Sequence, residues 1–223
     1  MASSPEVKIN FDHIYNNEGV RKDVYLPSSD TFTFLEALEE DVETISPTVR
    51  VALEMGTGSG YLILSLRELL LKKKKSLDLL YCLDINEKAC NCVRKVTWDN
   101  KISNVEIINT DLFSNLRQCK QFDLVLFNPP YVVTEEDEMN KTDIVASYAG
   151  GKLGREIILK FLLSVYDYVS DEGVIYLLME KNNRPDEILR DENISGRFSY
   201  TQLKKKKTLN ETIFIYKLSK KGS

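Results

Sequence analysis

Short apolar runs alternate along this chain with longer segments of helical spacing. Val49–Met55, Leu77–Leu83, Val105–Asn109, Phe122–Phe127 and Gly173–Met179 are brief, rich in apolar residues and flanked by polar or turn-forming ones. Such runs predict strands buried on both faces. Phe34, Leu35, Leu38 and Val42 recur at helical spacing behind Asp30, a candidate cap, and Pro47 ends the pattern. Tyr61–Leu71 is apolar nearly all round and predicts a buried helix. Asn86 is placed to cap a helix with Ala89, Val93 and Val96 on one face. Arg155–Val169 predicts a long helix carrying Ile158, Leu162, Val165 and Val169, and Pro185 opens a short one.

Strand and helix alternate, so the fold class is α/β: a Rossmann-like, mostly parallel sheet of seven strands with helices on both faces. Phe198–Leu203 and Thr212–Leu218 predict the last two strands, an antiparallel C-terminal edge joined through Lys204–Lys207 and Asn210. Residues 1–22 are polar and mixed, and read as a loose lead-in to a single domain over 23–223. The lysine runs 72–75 and 204–207 read as solvated loops, with a nucleic-acid footprint as the alternative.

Composition narrows the function. Of 223 residues, 43% are hydrophobic and 29% charged, which suits one globular domain. The formal charge of −4 does not advertise the basic face of a duplex-DNA binder. Cys82, Cys90, Cys92 and Cys119 include no C-x-x-C pair, so no structural zinc site is expected. Nothing demands disulfides, which suits a reducing compartment. Met1–Asn10 has no apolar core of the secretory kind, and no apolar run approaches the ~18–20 residues that span a bilayer. The expectation is a cytoplasmic protein, with the nucleus as a further location.

The segment Glu54-Met55-Gly56-Thr57-Gly58-Ser59-Gly60 lies between a predicted strand and a predicted helix. Glycines there let backbone approach a ligand at a helix N-terminus. Glu54 would repel a pyrophosphate but suits a ligand with an ammonium group, such as the methionine end of S-adenosylmethionine. Asp84 ends the next strand, where a carboxylate accepts ribose hydroxyls; otherwise it caps the following helix. Asp111 ends the third strand and suits an adenine amine, with Leu112 packing on the ring. Three acidic residues at successive strand ends line one sheet edge, where ligands of open α/β folds bind.

Asn128-Pro129-Pro130-Tyr131 follows the fourth strand directly. Two prolines stiffen the backbone and remove two N–H donors. The Asn128 side chain and the Pro129 carbonyl then both accept hydrogen bonds from one –NH₂ group. That arrangement holds a planar, poorly nucleophilic nitrogen against an electrophile and stabilises its developing positive charge. Tyr131 packs against the planar group. The bland reading is a proline-rich turn.

On these residues the chain resembles the short eukaryotic and archaeal branch of the HemK-type protein-glutamine N5-methyltransferases. The resemblance runs from about Asp23 to Leu218. It is carried by Asp23-Val24-Tyr25, Pro27, Asp30-Thr31-Phe32, the glycine segment, Asp84-Ile85-Asn86, Thr110-Asp111-Leu112, Asn128 to Thr134, and Ala149-Gly150-Gly151 with Gly154-Arg155-Glu156. It implies a class I S-adenosylmethionine methyltransferase acting on the Gly-Gly-Gln loop of a class I termination factor, assisted by a small zinc-binding activator subunit. It also implies that Thr31, Glu54, Gly56, Gly58, Asp84, Ile85, Asp111, Leu112 and Asn128 hold the cofactor, while Asn128, Pro129 and Tyr131 hold the glutamine. Leu26 and Ser29 depart from the family's acidic pattern, and Tyr148 stands where it tends to have Trp. Glu135–Glu138 is locally acidic, a solvated loop or a contact for a basic partner.

Two other substrates fit a shared tetrapeptide. One is adenine N6 in nucleic acid, against which stand the acidic balance and the lack of a target-recognition domain. The other is histone lysine, whose ammonium must first lose a proton, and no obvious base is evident.

Overall fold

The computed structural model describes residues 9–114, 116–134, 144–209 and 211–222. Seven strands form one sheet: β1 (Thr48–Met55), β2 (Ser76–Asp84), β3 (Val105–Asn109), β4 (Phe122–Phe127), β5 (Val169–Glu180), β6 (Phe198–Lys207) and β7 (Thr212–Lys220). Their order is β3-β2-β1-β4-β5-β7-β6. The first five are parallel; β7 runs antiparallel to both β5 and β6. The order reverses between β1, which pairs with β2, and β4, on its other side. A crevice opens at such a switch point, outside the strand C-termini.

Helices cover both faces. On one side lie α1 (Asp12–Asn16), α2 (Glu18–Asp23), α3 (Ser29–Asp41), α4 (Tyr61–Lys72) and α5 (Glu87–Asp99), with Phe34, Leu38, Leu64, Val93 and Leu126 in a common core. On the other lie α6 (Glu156–Val165), α7 (Pro185–Arg190) and α8 (Glu192–Ser195), packing Ile158, Phe161, Ile188 and Ile194 against Phe127 and Leu177. Each such fully buried side chain contributes roughly 1.5–3 kcal/mol.

Several expectations are corrected. The lead-in is not loose from residue 9 onward: Ile14 is fully buried and α1 and α2 pack on α5. Residues 1–8 lie outside those described. The helix expected over Arg155–Val169 ends at Val165, because Val169 already pairs with Phe122 in the sheet. The lysine run 204–207 is not a loop but the second half of β6. Lys204 pairs with Glu36 and Glu40 on α3, and Lys206 with Glu36, so tertiary partners neutralise what reads as solvation. Lysines on an edge strand also discourage pairing with a second sheet. Glu135–Glu138 lies outside the described residues.

One polar cluster sets α3. The Asp41 carboxylate accepts from Tyr176 Oη at 2.7 Å, from Lys217 Nζ at 2.8 Å and from Thr44 Oγ1 at 2.7 Å. Tyr176 is on β5 and Lys217 on β7, so the C-terminal end of α3 is tied to the sheet. Its N-terminal end thereby stands over the crevice.

Candidate active site

A cavity of about 450 Å³ opens at the C-terminal ends of β1 to β4. Thr31, Glu54, Gly56, Gly58, Asp84, Ile85, Asp111, Leu112, Asn128, Pro129 and Tyr131 all line it. Residues up to a hundred positions apart are thus brought to one wall by the parallel sheet.

The glycine segment turns from β1 into α4. Gly60 has φ +75°, and an added Cβ would press on Val93 Cγ2 at 3.0 Å, so only glycine suits this close approach to α5. Glu54 sits beneath the loop, buried, accepting from Thr57 Oγ1 at 2.9 Å and from the Ile63 amide at 3.3 Å. Burial pushes its carboxyl up to about 8, opposed by the Thr57 and Ile63 hydrogen bonds and reinforced by nearby Asp84. A carboxylate so starved of solvent favours a cationic neighbour.

Asp84 closes β2. Its Oδ2 accepts from the Gly58 amide at 2.8 Å and its Oδ1 from the Asn86 amide at 2.9 Å. Burial raises its pKa, and the amides of Asn86, Gly58 and Ile85 oppose the rise. The capping role belongs to its neighbour: Asn86 Oδ1 accepts from the Lys88 amide at 3.0 Å and starts α5. Asp111 is exposed at the cavity rim, and Leu112 beside it adopts φ +46°, unusual for a residue with a γ-branch. Such strain concentrates at ligand sites.

Asn128 emerges from β4 at the opposite end. Its Nδ2 donates to Asp30 Oδ2 at 2.9 Å, while its Oδ1 is buried and has no partner among the described residues. Asp30 is 1% exposed and also accepts from Tyr25 Oη at 2.9 Å, Ser28 Oγ at 2.9 Å and the Thr31 amide at 2.7 Å. The helix cap expected of Asp30 is therefore corrected. Ser28 holds the N-cap position of α3, and Asp30 turns inward to orient Asn128. A buried acceptor without a donor costs about 1–3 kcal/mol, which a donor in the cavity would relieve. Tyr131, half-buried, donates its hydroxyl to Glu211 Oε2 at 3.4 Å. Burial first, then the charge of Asp30, pushes its phenol well above the ordinary range.

The model of the methyltransferase small domain family matches residues 29–156. The chain is 35% identical to the human methyltransferase HEMK2 over 93% of this chain and 95% of that protein. The chain belongs to this methyltransferase family. A second relative, the eRF1 methyltransferase catalytic subunit mtq2 of Schizosaccharomyces pombe, is 28% identical over 91% of each. Among solved structures, the Mtq2–Trm112 complex of E. cuniculi, responsible for methylation of the eRF1 translation termination factor, resembles it with a TM-score of 0.66. That match has 30% identity and covers 89% of this chain and 99% of that one.

In this methyltransferase, three residues of the site escape sequence reasoning. Asp30 is one, because its partner lies 98 positions away. Thr110 is another: its hydroxyl is buried in the cavity wall without a partner among the described residues. The third is Asn183, after β5. It is fully buried, and its Nδ2 faces the carbonyls of Tyr131, Leu153 and Gly154 at 3.0, 3.1 and 2.9 Å. It holds the segment after the tetrapeptide to the Gly150–Gly154 stretch. The one readable signal for Asp30 was its place beside Thr31.

Proposed function

We propose that this methyltransferase uses S-adenosylmethionine to methylate the side-chain amide nitrogen of the glutamine in the Gly-Gly-Gln loop of a class I termination factor. The observation that carries this reading is the buried Oδ1 of Asn128, without a partner among the described residues, on a side chain whose other end is held by Asp30. The mtq2 relative, a catalytic subunit of an eRF1 methyltransferase, and the solved complex that methylates eRF1 support it.

The cofactor's chemical groups fit the residues at hand. Glu54 and the glycine turn suit its ammonium end, Asp84 its ribose, and Asp111, Leu112 and the free Thr110 hydroxyl its adenine. When bound, it supplies an electrophilic methyl on sulfur. The acceptor –NH₂ donates one hydrogen to Asn128 Oδ1 and the other to the Pro129 carbonyl, which orients the nitrogen lone pair towards the methyl. The charge of Asp30, relayed through Asn128 Nδ2–H, polarises the amide and strengthens Oδ1 as an acceptor when positive charge develops. No strong base is needed before attack, because the alkylated amide nitrogen sheds its proton readily.

A small zinc-binding activator subunit is part of the proposal. β3 is a sheet edge bearing Val105, Ile107 and Ile108, and an unpaired edge with apolar residues invites another strand. Co-expression with such a subunit should raise solubility and activity. The proposed site of action is the cytoplasm, where termination factors work.

The test is labelled-methyl transfer to the folded termination factor and to adenine-containing DNA under identical conditions. Transfer to the factor, lost when its target glutamine is changed, is expected. Faster transfer to DNA, lost in Asn128→Ala, would replace the acceptor.

A further inference from the structure

Tyr25 touches both halves of the cavity. It lies five residues before Asp30, in the segment leading into α3, and lines the cavity together with Pro27. On the cofactor side it lies against the glycine turn. A Cβ added to Gly58 would meet the Tyr25 carbonyl oxygen at 3.5 Å and the Tyr25 Cβ at 3.9 Å. The Gly58 amide is the group that donates to Asp84. On the acceptor side the Tyr25 hydroxyl reaches Asp30, standing 2.9 Å from each carboxylate oxygen. The residues before Tyr25 hold it there. The Asp23 carbonyl accepts from Asn86 Nδ2 at 2.8 Å, the Asp23 carboxylate pairs with Lys88 at 2.8 Å, and Val24 is buried in the core.

The donors divide unequally over Asp30. Its Oδ1 accepts from Ser28 Oγ at 2.9 Å and from the Thr31 amide at 2.7 Å. Its Oδ2 accepts from Asn128 Nδ2 at 2.9 Å, and the other donor to that oxygen among the described residues is Tyr25. The carboxylate is buried, so water does not replace a donor that is taken away. Tyr25 keeps its proton: burial first, then the charge of Asp30, raises its phenol well above the ordinary range. That single proton is spent on Asp30, so Tyr25 acts on the acceptor through Asp30 and Asn128.

We infer that Tyr25 is a positioning residue for methyl transfer: its hydroxyl fixes the Asp30 carboxylate that turns Asn128 Oδ1 into the cavity, and its place against Gly58 sets that oxygen relative to the cofactor turn. This rests on the reading above that Asn128 receives the acceptor nitrogen. Methyl transfer needs the nitrogen, the methyl and the sulfur held in one geometry, and a misplacement of about 1 Å from a distant change can cost on the order of a hundredfold in rate. A side chain that touches the cofactor turn and the carboxylate behind Asn128 keeps the two halves in register.

The experiment uses the full chain with Tyr25→Phe, which keeps the backbone and the ring, and Asp30→Asn, singly and together. In Tyr25→Phe, kcat on the folded termination factor should fall about tenfold, the scale of one hydrogen bond to a charged group, while the S-adenosylmethionine dissociation constant stays within about twofold. The double variant should fall no more than about twofold below Asp30→Asn, because a residue that acts through another adds nothing once that one is gone. Unchanged kcat in folded Tyr25→Phe, losses that multiply in the double variant, or a cofactor constant that weakens as much as kcat falls each overturns the assignment and leaves the proposed function standing. A second readout needs no acceptor. The side-chain NH₂ signal of Asn128 in NMR, identified by its absence from Asn128→Ala, should exchange with water at least about fivefold faster in Tyr25→Phe. Equal exchange overturns the positioning role whatever the acceptor is. Accelerated exchange in Tyr25→Phe, with a wild-type enzyme that transfers no methyl to the factor, overturns the proposed function alone.

Discussion

Asp30 and Asn128 meet through one hydrogen bond, Nδ2 to Oδ2 at 2.9 Å, that joins α3 to the end of β4. The bond decides which end of the Asn128 amide faces the cavity. With Nδ2 held by a carboxylate, Oδ1 is presented inward, and the site accepts rather than donates.

Replacing Asp30 should therefore harm chemistry more than cofactor binding. Asp30→Asn removes the charge and lets Asn128 turn over. A hydrogen bond to a charged group is worth about 1.5–3 kcal/mol, so kcat should fall roughly ten- to a hundredfold. Steady-state kinetics with the folded factor reads kcat, and titration calorimetry reads the cofactor dissociation constant, which should hardly move. A weakened cofactor with unchanged kcat would assign Asp30 to the other half of the site.

Asp84→Ala should show the opposite pattern. Loss of the carboxylate at the end of β2 should weaken S-adenosylmethionine by about 1.5–3 kcal/mol in calorimetry, with the fold intact by circular dichroism. An unchanged affinity in a folded variant would remove Asp84 from the ribose subsite.

Glu54 links cofactor binding to pH. Its folded pKa of about 8 lies above the ordinary carboxylate value of 4.5. The folded state without cofactor then holds a proton that the unfolded state has released. Its stability should fall as pH rises from about 4.5 towards 8 and level off above that. A cationic ammonium beside Glu54 reverses the burial effect, so binding near pH 7 should release close to one proton and tighten up to about pH 8. Calorimetry in two buffers of different ionisation enthalpy measures the proton count; a count of zero would mean that the ammonium lies elsewhere.

Gly154→Ala should damage the acceptor side alone. Gly154 has φ +64°, and an added Cβ would stand 2.0 Å from the Tyr131 carbonyl oxygen. That collision, together with backbone strain of about 1–2 kcal/mol, pushes Tyr131 from its place. Asn183→Ala removes the donor that holds the same carbonyl and should act likewise. Both variants are expected to lose about tenfold or more in turnover of the folded factor while binding cofactor normally. A matching loss of cofactor affinity, with a lowered melting temperature, would instead show general unfolding.

Much of this architecture is legible residue by residue, because it is local. Buried parallel strands need continuous apolar runs, so Val105–Asn109 and Phe122–Phe127 carry their own limits. Asn86 caps α5 with a bond two residues long, and the glycine turn lies between its strand and its helix. The cofactor residues read from the chain stand at strand ends, and a parallel sheet carries strand ends to a common edge whatever the side chains between them do.

Tertiary structure decided what depends on partners remote in the chain. Asp30 looks like a helix cap until Asn128 arrives from 98 positions away. The lysines of β6 look like a loop until Glu36 and Glu40 of α3, more than 160 positions earlier, stand beside Lys204. Ile14 looks like part of a loose tail until α5 buries it, and nothing in the chain marks Asn183 until three carbonyls converge on it. Hydrophobic periodicity reports which face of an element is dry. It carries no information about which polar group waits on the other side, and at this site those polar pairings set the chemistry.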